Sequence, residues 1–241
     1  MIFDAPKFRD RTEAGRQLAA ALTGFAATDP LVLALPRGGV PVGFEVAKAL
    51  RARLDVLLVR KIGAPGHSEY GIGAVVDGEN PQLVLNEEAM ALVQPSDDYV
   101  EAEKRRQLLE IERRRNLYLG SRPAASVLGR TVIVVDDGIA TGGTVRVALK
   151  ALRKDRAAHV VLAVPVAPRD TLALIKADVD EVVCLATPEP FVAVGRYYGD
   201  FAQTTDAEVI RLLREAEQFE SNRRCDLPVN SSPTAEGASY R

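Results

Sequence analysis

Apolar residues recur along the chain in two rhythms. From Thr12 to about Ala27, TEAGRQLAAALTGFAA sets Leu18, Ala21, Leu22 and Phe25 at helical spacing, and Thr12 stands where an N-cap belongs. LVLAL, Leu31 to Leu35, is a short unbroken apolar run closed by Pro36, the mark of a buried strand. After PRGG, the stretch VPVGFEVAKAL reads as a helix beginning near Pro41, and DVLLVRK as a second strand. Further on, TVIVVDD, HVVLAVPV and DEVVCLA are β-branched runs of the kind buried on both faces of a parallel sheet, with helical segments between them. This alternation predicts an α/β fold with a mainly parallel, twisted sheet flanked by helices.

The alternation lapses between about residues 63 and 130. A Gly-rich loop, a hairpin pair (IGAVV and QLVLN) and a charged helix occupy this interval, which reads as an insertion on the core. The inserted helix, SDDYVEAEKRRQLLEIERRRNLYLG, has acids in its first turn and Arg113 to Arg115 near its end, as the helix dipole favours. A solvated face, with Leu108, Leu109, Ile111 and Leu117 partly packed, accounts for it; a homodimer or nucleic-acid contact is the alternative. A final helix is expected from Thr205 to about Glu220. The polar tail 221–241 has no periodicity and is expected to be disordered.

One stretch joins both rhythms to chemistry. VIVVDDGIATGGT, Val132 to Thr144, runs from an apolar strand through two acids into a Thr/Gly turn. Ligands of open α/β sheets bind at the C-terminal ends of strands, and Asp136 and Asp137 stand at such an end. The following VRVALKALRK spaces Val145, Leu149 and Leu152 as a buried helix face. Residues Ala140, Thr141, Gly142, Gly143 and Thr144 are therefore expected to offer backbone N–H groups and hydroxyls at a helix N-terminus, where an anion is favoured. The dipole contributes roughly 0.3–2 kcal/mol, so directed hydrogen bonds must supply the rest. A capped turn with solvated acids would explain a lone Gly-rich loop. Two acids just ahead of an anion nest suit a ligand with hydroxyls for carboxylates and phosphate for amides, a phosphorylated sugar. Neither G-x-x-x-x-G-K-[ST] nor G-x-G-x-x-G occurs, which removes the P-loop and Rossmann readings.

The stretch resembles the 5-phosphoribosyl 1-pyrophosphate (PRPP) signature of type I phosphoribosyltransferases. The resemblance implies that fold over residues 1–220, with a flexible loop and a small hood at about residues 187–204, and it implies Mg2+ as cofactor. It implies that Asp136 and Asp137 hold the ribose 2′- and 3′-hydroxyls, with Gly138 and Ile139 leading into a 140–144 loop that holds the 5′-phosphate. Metal would be carried by PRPP and waters, with Asp136 or Asp137 as its protein ligand. PRGG is similar to the family's pyrophosphate loop, which often contains a cis non-proline peptide; Arg37, Gly38 and Gly39 would bind pyrophosphate there. Arg60 and Lys61, at the end of the expected second strand, resemble a pyrophosphate-holding pair of the orotate and adenine branches. SEYG is similar to the Glu-Tyr-Gly of the adenine branch, making Glu69 the candidate acid or base and His67 its alternative. The resemblance thus assigns catalysis to Glu69, Lys61, Arg37 and Asp137. Ala140 stands where the hypoxanthine-guanine branch has an Asp that contacts the purine, which leans away from 6-oxopurines.

Phe191, Tyr197, Tyr198 and Phe201 are conspicuous in a chain with 5% aromatics. They are candidates for an acceptor-stacking platform or, equally, for a cluster anchoring the final helix. The whole pattern resembles a widespread group of bacterial phosphoribosyltransferases of unassigned acceptor. A PRPP- or nucleotide-sensing regulator, or an enzyme with a non-base acceptor, are the rival readings.

Composition narrows the field. Of 241 residues 27% are charged, with a formal net charge of −2, which gives no basic footprint for nucleic acid. No apolar stretch approaches the roughly 18 residues that span a bilayer. Two cysteines suggest no disulfide framework, and the expectation is a cytoplasmic protein whose partners are PRPP and a small-molecule acceptor.

Overall fold

The computed structural model describes residues 7–226, with side chains described through residue 219. Five parallel strands form the central sheet: β1 (Leu31–Ala34), β2 (Arg53–Val56), β6 (Thr131–Val135), β7 (His159–Val166) and β8 (Glu181–Ala186), in the order β2-β1-β6-β7-β8. The strand register sets Leu31 to Ala34 beside Val132 to Val135, and Thr131 to Val135 beside His159 to Ala163. Because side chains alternate along a strand, each run supplies two apolar faces at once. Leu31, Leu33, Val132, Val134, Val160 and Leu162 pack with helices α5 (Gly143–Lys154) and α6 (Arg169–Ile175). Val32, Ala34, Ile133, Val135, Val161 and Ala163 pack on the other side, with α1 (Arg11–Ala21), α2 (Gly39–Leu50) and α7 (Asp206–Asp226). The expected α/β architecture is therefore the observed one.

The inserted segment forms a second sheet of three antiparallel strands, β3 (Val59–Ala64), β4 (His67–Val76) and β5 (Gln82–Leu85), followed by α3 (Glu87–Val93) and α4 (Asp97–Leu119). The hairpin expected from IGAVV and QLVLN is present, with Gly73 opposite Leu85 and Val76 opposite Gln82. The charged helix is α4, capped by Ser96, whose side chain accepts the Tyr99 N–H. Its charges are satisfied largely along the helix, through Lys104–Glu101, Arg106–Glu103, Arg113–Glu110 and Arg114–Glu110 pairs.

Several expectations need correction. The first helix spans Arg11–Ala21, capped by Asp10 rather than Thr12: the Asp10 carboxylate accepts the Glu13 N–H at 2.8 Å, and Thr23–Thr28 tightens into a 3-10 turn. Helix α2 begins at Gly39, because Pro41 lies in the first turn, where its missing N–H costs nothing. DVLLVRK is two strands. Leu57 N–H still donates to Ala34 of the central sheet at 3.0 Å, whereas Leu58 accepts from Asp77 of the hairpin at 2.8 Å, so the seam between the sheets falls within one apolar run. Most of the Gly-rich segment expected to be a flexible loop is strand. Gly63 and Gly73 serve close backbone approach, since an added Cβ would lie 2.5 Å from Ser68 O and 2.7 Å from Val84 O respectively. The final helix continues to Asp226, past the point at which the tail was expected to begin, and residues 227–241 lie outside the described residues.

Candidate active site

Two strand ends build the centre of the site. Leu35, just past β1, donates its N–H to Val135 O at 2.9 Å, which sets Pro36–Gly39 against the acids that follow β6. The Pro36–Arg37 peptide is cis. A Cβ on Gly39 would lie 2.7 Å from Val135 O and 3.0 Å from Asp136 Cα; one on Gly38 would lie 2.6 Å from Asp137 Cγ. The glycine pair therefore lets the two loops press together. Any side chain would wedge the PRGG turn off the acids.

Asp136 and Asp137 are partly buried. Asp136 Oδ1 accepts the Asp137 N–H at 2.9 Å, and Asp137 Oδ2 accepts Arg11 Nε–H at 2.8 Å. The Asp137 carbonyl accepts the Tyr198 hydroxyl at 2.5 Å. Burial pushes the Asp136 carboxyl well above the ordinary carboxylate range, and the adjacent Asp137 charge adds to the shift. Burial raises Asp137 as well, opposed by the Arg11 guanidinium. Two adjacent acids that resist sharing negative charge form a site prepared for hydroxyl donors or a cation.

The loop after the acids reaches back to the sheet through Ile139, whose N–H donates to Val166 O at 2.9 Å. Gly142 adopts a left-handed conformation (φ 74°), and a Cβ there would lie 2.8 Å from Thr171 Cγ2, so both conformation and crowding demand glycine. Gly142 caps the twelve-residue α5 with no side-chain hydrogen bond. Ala140, Thr141, Gly143 and Thr144 are exposed around that helix start. Their amides and hydroxyls are available to an anion.

Arg37 lies with Nη1 3.8 Å from Asp206 Oδ1 at the start of α7. Tyr118 of α4 donates its hydroxyl to that same oxygen at 2.7 Å, and burial pushes the phenol up to about 12. Not every expected residue joins this group. Arg60 and Lys61 sit on β3 rather than at a central strand end, and Arg60 Nε donates to Gln107 of α4 at 3.1 Å. Glu69 and His67 lie on the exposed outer part of β4, lining a hollow with Tyr70 and Leu92. Among the described residues, no hydrogen bond or ion pair joins these four to Arg37, the acids or the 140–144 loop.

The aromatic cluster separates into two parts. Tyr198 is buried between Phe8 and Phe201, with ring centroids 5.4 and 5.0 Å away, so it anchors the hood and presents no open stacking face. Phe191 and Tyr197 pair at 5.4 Å and remain half-buried. Phe8 N–H donates to Tyr197 O, and Gly199 N–H to Phe8 O, which stitches the hood to the segment before α1. Arg11, Tyr118 and Asp206 are site residues that the sequence patterns do not reveal. Arg11 reads as a solvated helix start and Asp206 as a first-turn acid, and only tertiary packing brings them to the centre.

The family described as phosphoribosyl transferase domain matches residues 10–198. This chain belongs to that family. Over 209 residues it is 46% identical to a Mycobacterium tuberculosis protein named "Putative phosphoribosyl transferase", a match covering 87% of this chain and 47% of the relative. The chain thus spans about half the length of the curated relatives it matches. A solved structure from Thermus thermophilus, that of the protein TT1426, is 44% identical with a TM-score of 0.76, covering 87% of this chain and 98% of that one. The phosphoribosyl transferase match takes in both central loops, the second sheet and Tyr198, and stops before α7. Asp206, which holds Arg37, therefore lies outside the family segment.

No helix among the described residues is long and apolar enough to cross a membrane.

Proposed function

We propose that the site binds PRPP and transfers its 5-phosphoribosyl group to a nitrogenous acceptor, a nucleobase first among the candidates, with release of pyrophosphate. The observation that carries the reading is the pressing of the Gly38–Gly39 turn onto Asp136 and Asp137 beside the start of α5, where no side chain caps the helix. On this reading hydroxyl acceptors, anion donors and an arginine serve one sugar phosphate. The carboxyl groups of Asp136 and Asp137 accept the ribose hydroxyls, the 140–144 loop donates to the 5′-phosphate, and Arg37 serves the departing pyrophosphate. Catalysis on this reading is positioning plus electrostatic stabilisation of charge that accumulates on the leaving group.

Mg2+ fits this donor set. Among the described residues no group of three or more His, Cys, Asp or Glu side chains is placed to hold a metal, whereas a Mg2+ ion brought by substrate phosphates needs only one or two carboxylates and water. Asp136 or Asp137 would hold it, and when bound it supplies charge neutralisation at the pyrophosphate. Lys61 and Arg60 on β3, and Glu69 with His67 as its alternative on β4, are the groups of the second sheet proposed to serve pyrophosphate and acceptor. Phe191 and Tyr197 offer the half-buried aromatic surface for the acceptor. The exposed Leu109 on α4 is the candidate contact of a homodimer.

The test is pyrophosphate release from PRPP and Mg2+ across a panel of bases and amines, with the Asp136→Asn/Asp137→Asn double variant alongside. Release with at least one acceptor, abolished in the folded double variant, is expected. Full turnover in that variant overturns the assignment. PRPP binding without release for any acceptor points to a sensing protein of the same fold.

A further inference from the structure

Arg11 is absent from the signature, yet it grips one of the two acids on which the proposed donor site depends. Its guanidinium is held on three sides. Nε donates to Asp137 Oδ2 at 2.8 Å, Nη1 donates to the Ala202 carbonyl at 2.7 Å, and the plane lies 3.9 Å from the Phe201 ring centroid. Asp137 and Arg11 side chains are 14% and 12% exposed, so water competes weakly for the pair. Phe201 packs in turn on Tyr198, and the Tyr198 hydroxyl donates to the backbone carbonyl of Asp137. Carboxylate and carbonyl of one residue are thus held from a single cluster. Gly195 makes room for it: a Cβ there would lie 2.7 Å from Phe201 Cδ1.

We propose that Arg11 is the positioning residue of the ribose site, fixing the Asp137 carboxylate in one orientation so that its other oxygen meets a sugar hydroxyl. The inference rests on the phosphoribosyl-donor reading given above. A carboxylate that is already ordered loses no rotamer freedom when the sugar arrives, and the acceptor geometry is set in advance. Arginine is suited to this where lysine is not. Its planar fork serves two acceptors from different nitrogens while the face stacks on an aromatic ring, which a single ammonium cannot do. A purely structural staple between α1 and the hood would use the same contacts, so the test must separate the two.

Calorimetric titration of the full chain with ribose 5-phosphate and with 2,3-dideoxyribose 5-phosphate does so, on wild type, Arg11→Lys and Arg11→Met. Loss of a charged hydrogen bond at a sugar-binding carboxylate is expected to weaken ribose 5-phosphate by about tenfold in Arg11→Met, with Arg11→Lys in between. The dideoxy ligand, which reaches only the 140–144 loop, is expected to bind all three proteins equally, and that equality also shows that the variants are folded. Equal weakening of both ligands in Arg11→Met, or no weakening of either, overturns the positioning role. A wild type that does not prefer ribose 5-phosphate to the dideoxy compound overturns the donor reading itself, and this inference with it.

Discussion

Two pairs of acids are drawn into the fold, Asp55 with Asp77 fully and Asp136 with Asp137 partly, and they are treated differently. Asp55 and Asp77, between the two sheets, are met by Arg115 of α4, with Nη2 3.2 Å from Asp55 and Nη1 2.6 Å from Asp77. Arg53 and Arg122 approach Asp55 to 3.9 and 4.0 Å, and the N–H groups of Val56 and Ala125 donate to it at 2.8 and 3.0 Å. Asp136 and Asp137, at the mouth of the central sheet, have the Arg11 guanidinium on one carboxylate and a neighbouring N–H on the other. Around the first pair three arginines balance Asp55, Asp77 and Glu217, which meets Arg122 at 3.4 Å; around the second, negative charge is left over. Burial alone therefore does not distinguish a structural acid from a working one. The local charge balance does, and it agrees with the proposal that the second pair is the one that meets a ligand.

The comparison can be broken most sharply at Arg115. Replacing it by Met leaves the buried Asp77 carboxyl without its cation and takes from Asp55 the nearest of its three, so a loss of about 3–5 kcal/mol in unfolding free energy is expected from urea denaturation. The Asp136→Asn/Asp137→Asn protein should instead unfold at a denaturant concentration no lower than wild type, because relief of two crowded, desolvated acids offsets loss of the Arg11–Asp137 ion pair. If the two variants were equally destabilised, the distinction between the pairs would fail.

A smaller effect is expected from Gly38→Ala. The new methyl would force the PRGG turn off Asp137, costing about 1–3 kcal/mol of stability and weakening PRPP in a binding titration, while Arg115 and its acids stay undisturbed. Unchanged PRPP affinity would show that the turn does not need to touch the acids.

The smallest concerns pH. Burial holds the Asp136 and Asp137 carboxyls above their ordinary range, so each keeps its proton in the folded chain where the unfolded chain has released it. Their contribution to stability is full below the unfolded carboxylate range and is lost as pH rises through the raised native values. In the ligand-free state, the stability advantage of the double Asn variant over wild type should therefore widen from about pH 4 to about pH 7. A gap that narrows over that range, measured by denaturant midpoints, contradicts the assigned burial.

The central sheet was legible because strands buried on both faces leave unbroken apolar runs, as Leu31 to Leu35 and Val132 to Val135 do. The same property hid the seam at Leu57 and Leu58, where an unbroken run passes from one sheet to the other. Glycine misled at residues 63 to 71: its β-depressing tendency suggests a loop, but Gly63 is there so that strands can approach. The acids, PRGG and the 140–144 loop were readable because each is contiguous in sequence. Arg11 reaches Asp137 across 126 positions, and Tyr118 and Asp206 meet only through the packing of α4 and α7, so no local pattern announces them. The aromatic hood was visible, but the role of Tyr198 turned on one hydroxyl and a backbone carbonyl.

The stitch between Phe8 and the hood has a practical side. The backbone that precedes α1 is bonded to Tyr197 and Gly199, and Arg9 O accepts the Asp200 N–H. A tag, reporter or neighbouring domain joined just ahead of residue 8 would therefore tug on the same short strip of chain that steadies Asp137. Anyone tethering this protein to a surface should expect the choice of anchoring end to alter its apparent affinity for a sugar phosphate.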